Sequence, residues 1–179
     1  MQLCHYQDVA TFLEEANAFL ICHEAENNLL FGILKGIEQG LYTGNNYLAT
    51  VKDGEQVVLA ALRTPPYNVV LSYESPTPAL ELLAVDLLAV GHSDIPGVVG
   101  PKAASLAFAE IWCNKTGRAF SLEMAQRIYK LEQVHHPRGV RGVMRRATKA
   151  ENDLLVTWMK GFMVDAFHDH DEQAINERA

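Results

Sequence analysis

The sequence has little of what would assign a protein quickly. It carries three cysteines, Cys4, Cys22 and Cys113, with no CxxC pair among them. An odd number at those spacings implies neither a disulfide framework nor a zinc site. It favours a reducing, cytoplasmic setting. No apolar run reaches the roughly 20 residues that a membrane-spanning helix needs. The opening MQLCHYQD lacks the basic-then-apolar pattern of a secretory signal. The expectation is therefore a soluble, cytoplasmic protein with no membrane partner. Positive charge is also scarce, with 15 Lys and Arg against 22 Asp and Glu and a net charge of −7, which is not the footprint of a nucleic-acid binder. Internal repeats and low-complexity linkers are absent as well.

What is present suits an ordinary globular domain. The chain is 49% hydrophobic and 21% charged, the usual balance for a packed core. Its 179 residues allow one full-sized domain with a second element attached. Charge is unevenly spread. Lys130, Arg138, Arg141, Arg145, Arg146 and Lys149 face only Glu132 across that stretch, and an acidic tail follows from Ala150. A solvated surface is the simpler reading of such a run.

The pattern centres on Asn68–Gly91, which reads strand, tight turn, helix. Val69–Tyr73 is short and β-rich, Glu74-Ser75-Pro76-Thr77-Pro78 is a turn, and Ala79–Val90 is an almost continuous apolar helix. Thr77 suits the N-cap and Pro78 the first helical position. A strand feeding directly into a helix is a common way to build an anion site, because free N–H groups and the helix dipole converge there.

Around that centre, Gln2–His5 reads as a first strand and Asp8 as the N-cap of a helix whose apolar face is Val9, Phe12, Leu13, Ala16 and Leu20. A second helix is expected over 25–39, ending near Gly40. Strands at Tyr47–Lys52 and Gln56–Arg63 flank Asp53-Gly54, a strong hairpin signal. The second of them, apolar on both faces, is expected to be central and covered on both sides. Gly97–Gly100 reads as a brief buried strand, and a helix runs from Pro101 to Gly117. Over Phe120–Val134 the stripe Leu122, Ala125, Ile128/Tyr129 and Leu131 leans to helix, while RIYKLEQV also fits a half-exposed strand. Gly142–Ala147 reads as a last strand. Thr148 and Glu151 then form a capping-box pattern before a strongly amphipathic helix bearing Leu154, Leu155, Trp158, Met159, Phe162 and Met163.

This order of elements resembles the GNAT family of N-acetyltransferases over about residues 2–134. The opening formed by Arg145/Arg146, Ala147, Thr148 and Asp153 resembles the start of a second GNAT domain, as in tandem GNAT proteins. The resemblance implies an α/β fold with a mostly antiparallel central sheet and helices on both faces. It implies a divergent GNAT-like domain over residues 1–136, and over 137–179 a junction strand and helices belonging to the second domain. It further implies acetyl transfer from acetyl-CoA to an amine by the intact protein, with the acetyl-CoA site in that second domain. The family binds the cofactor pyrophosphate through a Gln/Arg-x-x-Gly-x-Gly/Ala loop between the fourth strand and its helix. Here that slot is Glu74–Ala79, which has no glycine and in which two prolines remove two N–H donors. Ser75 and Thr77 are the cofactor-binding candidates by their hydroxyls, no cofactor is expected in this chain, and the plainer reading is a structural helix start. Cys113 occupies the place of the family's general-acid tyrosine, so no catalytic residue is assigned; a lone cysteine on an apolar helix is usually core.

His168 and His170 have metal-ligand chemistry, but at helical spacing they diverge by about 200°, so no metal site is expected. His135-His136 reads as a solvated turn. The partner expected for the apolar 154–163 face is the downstream GNAT domain or a second chain, as in a homodimer. The alternative function is a non-enzymatic GNAT-like binding or dimerisation module.

Overall fold

The computed structural model describes residues 1–167, and the chain divides into two units, Met1–Glu132 and Gln133–Ala179. In the first, β1 (Gln2–His5) leads to Asp8, whose carboxylate accepts the Thr11 N–H at 2.8 Å and caps α1 (Val9–Ile21). That bond holds the Asp8 carboxyl below its usual range. Val9, Phe12, Ala16 and Leu20 form the buried face of α1, as their spacing expects. The second helix, α2 (Asn28–Glu38), starts three residues later than expected. The buried Asn27 explains the delay: its Nδ2 donates to the Leu20 carbonyl at 2.9 Å, so the preceding residues turn to close α1 rather than begin α2.

The remaining strands are β2 (Tyr47–Asp53), β3 (Gln56–Arg63), β4 (Val69–Leu71) and β5 (Val98–Val99). The sheet order is β1-β2-β3-β4-β5, antiparallel except for the parallel β4–β5 pair. Gly54 makes the β2–β3 turn with φ of +60°, a conformation that glycine adopts without a Cβ clash. The central strand is β3, and the continuous apolar run predicted that position. On one face Leu59 and Ala61 join a core with Leu80, Leu83, Leu87 and Phe108. On the other, Ala60 and Leu62 join Phe12, Leu20, Leu30 and Leu34. Two helical layers therefore enclose one sheet.

One layer is α3 (Thr77–Ala89) and α4 (Lys102–Thr116), the latter closed by Gly117 at φ of +71°. The α3 cap corrects the sequence reading by one residue: Pro76, not Thr77, is the N-cap. Its carbonyl accepts the N–H groups of Ala79 and Leu80 at 2.9 and 3.1 Å, which draws Thr77 into the first turn. β4 is likewise shorter than the expected 69–73, because Tyr73 N–H donates to Asn27 Oδ1 and leaves the ladder. β5 is half-buried rather than buried.

Two further expectations fail. Phe120–Val134 is neither helix nor strand. Its stripe residues Leu122, Ile128 and Leu131 are 76, 55 and 75% exposed, and so short a helix is marginal in water without a packed face. Gly142–Ala147 forms no strand; Gly142 has φ of +108°, outside the extended region a strand requires.

In the second unit, Glu151 accepts the Thr148 N–H at 2.8 Å and its hydroxyl at 3.0 Å, and returns its own N–H to the Thr148 carbonyl at 3.0 Å. The 3₁₀ turn Lys149–Glu151 then opens α5 (Asn152–Phe167). The Arg145 guanidinium grips the same carboxylate, and it is the main cause holding Glu151 down to about 2, helped by Thr148. Along α5, Met163 is buried, while Leu154, Leu155, Trp158 and Met159 are exposed.

Candidate functional site

At the turn between β4 and α3, where the strand-to-helix pattern suggests an anion site, most of the polar groups are already engaged. Ser72, fully buried, accepts the Ala60 N–H on Oγ at 3.0 Å and donates to the Glu74 carbonyl at 2.8 Å. The Ser75 hydroxyl donates to the Ser72 carbonyl at 3.0 Å. His23 lies against the Tyr73 ring at 4.5 Å between centroids, with its Nε2 3.6 Å from the Glu74 carboxylate. Of the α3 first turn, Pro78 has no N–H and Ala79 and Leu80 bond Pro76. Thr77 is exposed and is left with its own N–H and hydroxyl. Two donors on a single residue are a poor cradle for a pyrophosphate, which is bound by several convergent N–H groups.

The concentration of polar side chains lies at the other end of α3. Asp86 is nine residues beyond Thr77, roughly 13 Å along the helix axis. Its carboxylate accepts the Tyr47 hydroxyl at 2.7 Å and faces His5 Nε2 at 3.0 Å. Burial, then the Asp86 bond and charge, pushes the Tyr47 phenol far above its usual range, so it stays protonated. Opposite Tyr47 in the β2–β3 register stands Arg63, 1% exposed at the end of an otherwise apolar strand. Its Nε donates to the Tyr67 carbonyl at 3.0 Å, and its Nη1 donates to His92 Nδ1 at 2.8 Å and to Asp94 at 2.9 Å. Its Nη2 is buried without a partner.

This geometry assigns the His92 tautomer. A guanidinium only donates, so Nδ1 accepts and the ring proton sits on Nε2. Burial first, then the Arg63 charge, lowers the His92 pKa and keeps the ring neutral. Arg63 also holds the Asp94 carboxyl below its usual range. His5, Tyr47 and His92 pack edge to face in series, at 5.2 and 5.4 Å between centroids. All three line a cavity of about 480 Å³ with Gln7, Asn45 and Asn46. A cavity of that size is in the range of small-ligand sites. The arrangement can orient a neutral histidine and hold a histidine against a carboxylate.

The structure does not bring Ser75 or Thr77 to this cluster. Cys113 is half-buried on α4 and outside it. His135 and His136 are exposed outside regular structure, and His168 and His170 lie outside the described residues. Among the described residues, no group of three His, Cys, Asp or Glu side chains could hold a metal ion, and no helix is long and apolar enough to cross a membrane. Arg63 carried a signal that the sequence reading passed over: a charge at an inward position, two residues past Ala61.

The chain matches no family model, no curated protein and no solved structure.

Proposed function

We propose that Met1–Glu132 is a divergent GNAT-like domain of an N-acetyltransferase, with its cofactor slot closed, serving as a structural wall or one side of a substrate groove. Acetyl transfer from acetyl-CoA to an amine would belong to the intact protein, with the cofactor held by a following domain whose first elements are Arg145–Trp158. The observation that carries this reading is the turn between the fourth strand and α3. It holds the ordinal place of the family's pyrophosphate loop, in a mostly antiparallel sheet with helices on both faces. Its Ser72 and Ser75 hydroxyls are spent on the turn itself.

Two measurements test this. Titration of the chain with acetyl-CoA should give no binding heat at micromolar concentrations; a low-micromolar Kd overturns the closed slot. The sequence encoded after Ala179 should carry a Gly-rich pyrophosphate loop, and its absence removes the acetyl-transfer reading.

One observation favours a second reading, a non-enzymatic interaction module. Leu154, Leu155, Trp158 and Met159 expose an apolar face on α5, of the kind that marks protein–protein contact. Light scattering after size exclusion separates the two readings: Trp158→Lys dissociates an assembly built on that face and leaves a monomer unchanged.

A further inference from the structure

We infer that the cavity at the C-terminal end of α3 binds a small neutral carboxamide, its carbonyl oxygen received by His92 and its N–H by His5. The inference goes beyond the acetyltransferase reading and stands whether or not that reading does.

The cavity of about 480 Å³ lies within the first unit. Tyr47, Leu48 and His92 line it as buried residues, while His5, Asn45 and Val90 line it as exposed ones at its mouth. His92 is 6% exposed, and one of its two nitrogens is spent, since Nδ1 accepts from Arg63. The Nε2–H has no partner among the described residues, and the protein does not enclose that atom completely. Buried donors are nearly always paired, and an unpaired one carries its full desolvation cost. This N–H therefore calls for an oxygen supplied from the cavity.

His5 supplies the opposite chemistry. An ionised carboxylate only accepts, so the His5 proton that meets Asp86 at 3.0 Å is on Nε2. Nδ1 is then the acceptor of the neutral ring, and no described group donates to it. Both histidines stand edge to face against Tyr47, whose hydroxyl is itself fixed on Asp86 at 2.7 Å. One anchored ring thus holds the donor and the acceptor before any ligand arrives, which lowers the ordering cost of binding.

Charge selects the ligand class. An ammonium group has no lone pair to offer the His92 N–H. An anion meets two carboxylates, Asp8 on the cavity wall and Asp86 bonded to Tyr47 and His5. The Arg63 guanidinium does not offset them for a ligand, because it is 1% exposed and already paired with Asp94. A neutral ester satisfies His92 and leaves His5 Nδ1 idle. A carboxamide, with C=O and N–H in one plane, satisfies both. The side-chain amides of Gln7 and Asn45 also line the cavity without a partner among the described residues, and an amide can donate to and accept from another amide.

The test is NMR titration of the full chain at about pH 8, above the usual histidine range, reading the ring nitrogens of the histidines. Three probes of one shape separate the chemistry: benzamide is neutral, benzoate an anion and benzylamine a cation. The expected result is a saturable shift of His92 Nε2 and His5 Nδ1 with benzamide. Its Kd should be on the order of a millimolar or below, the range open to so small a ligand. His135 and His136, which do not line the cavity, should not move. Benzoate and benzylamine should bind at least about tenfold more weakly, the equivalent of one lost hydrogen bond. Val90→Trp, at an exposed position on the mouth, should block benzamide and keep the melting temperature. His5→Phe keeps a ring against Tyr47, removes the acceptor and should weaken benzamide about tenfold. No saturable shift with benzamide overturns the inference. So does a Kd for either charged probe as tight as that of benzamide, and so does benzamide binding that neither variant weakens.

Discussion

Arg63 is the residue on which one end of the first unit turns, because a guanidinium at 1% exposure must find donors' partners inside the protein. It finds His92, Asp94 and the Tyr67 carbonyl, and by donating to Nδ1 it keeps His92 neutral. Unfolded histidine titrates near about 6.5, and burial with the Arg63 charge lowers that value in the fold. Below about pH 6.5 the unfolded chain binds the extra proton, so the stability linked to His92 is full above that pH and falls as pH drops toward the native pKa. Denaturant unfolding across that window should show the loss. His92→Gln, which keeps an acceptor for Arg63, should flatten it. Arg63→Met removes the second cause and should raise the His92 pKa, read by NMR titration of the ring. At the opposite turn, Ser72→Ala strands the buried Ala60 N–H and should cost about 1–3 kcal/mol, against about 0.5–1.5 kcal/mol for Ser75→Ala, measured by urea denaturation. Little of the cavity cluster was legible in the sequence. His5 and Asp86 are 81 positions apart and Tyr47 and Asp86 are 39 apart, and no local pattern announces contacts made only by folding. The turn candidates were legible because they lie within one short motif.

At the scale of elements, local chemistry was enough wherever a segment carries its own signal. Asp8 capping α1, the hairpin at Gly54, the two-faced burial of β3 and the Gly117 stop of α4 all follow from residues within a few positions. The misreadings arise where a neighbour in space decides. Pro76 captures the cap of α3, Asn27 delays α2, and the stripe over 120–134 has no surface to pack on. Close approach between elements was also invisible. A Cβ on Gly100 would stand 2.9 Å from Leu71 Cβ and 3.3 Å from Ser105 Oγ, so the end of β5 and the start of α4 meet β4 only because that residue is glycine. Gly100→Ala should therefore destabilise by about 1–3 kcal/mol, while Leu83→Ala, at the centre of the α3 core face, should cost about 2–5 kcal/mol. Thermal unfolding followed by circular dichroism distinguishes both from wild type.

At the scale of the molecule, chemistry and architecture separate along α3. The strand-to-helix turn, which the proposed function takes as a closed cofactor slot, is held together by its own hydroxyls and carbonyls. The cavity at the far end has buried polar groups and no place in the acetyltransferase scheme. That division is what a domain kept for its fold, with its cofactor slot closed, would show. Calorimetric titration of the chain with acetyl-CoA tests it most directly. No measurable heat at micromolar ligand, with wild type and Thr77→Ala alike, is the expected result. A low-micromolar Kd that Thr77→Ala abolishes would contradict it.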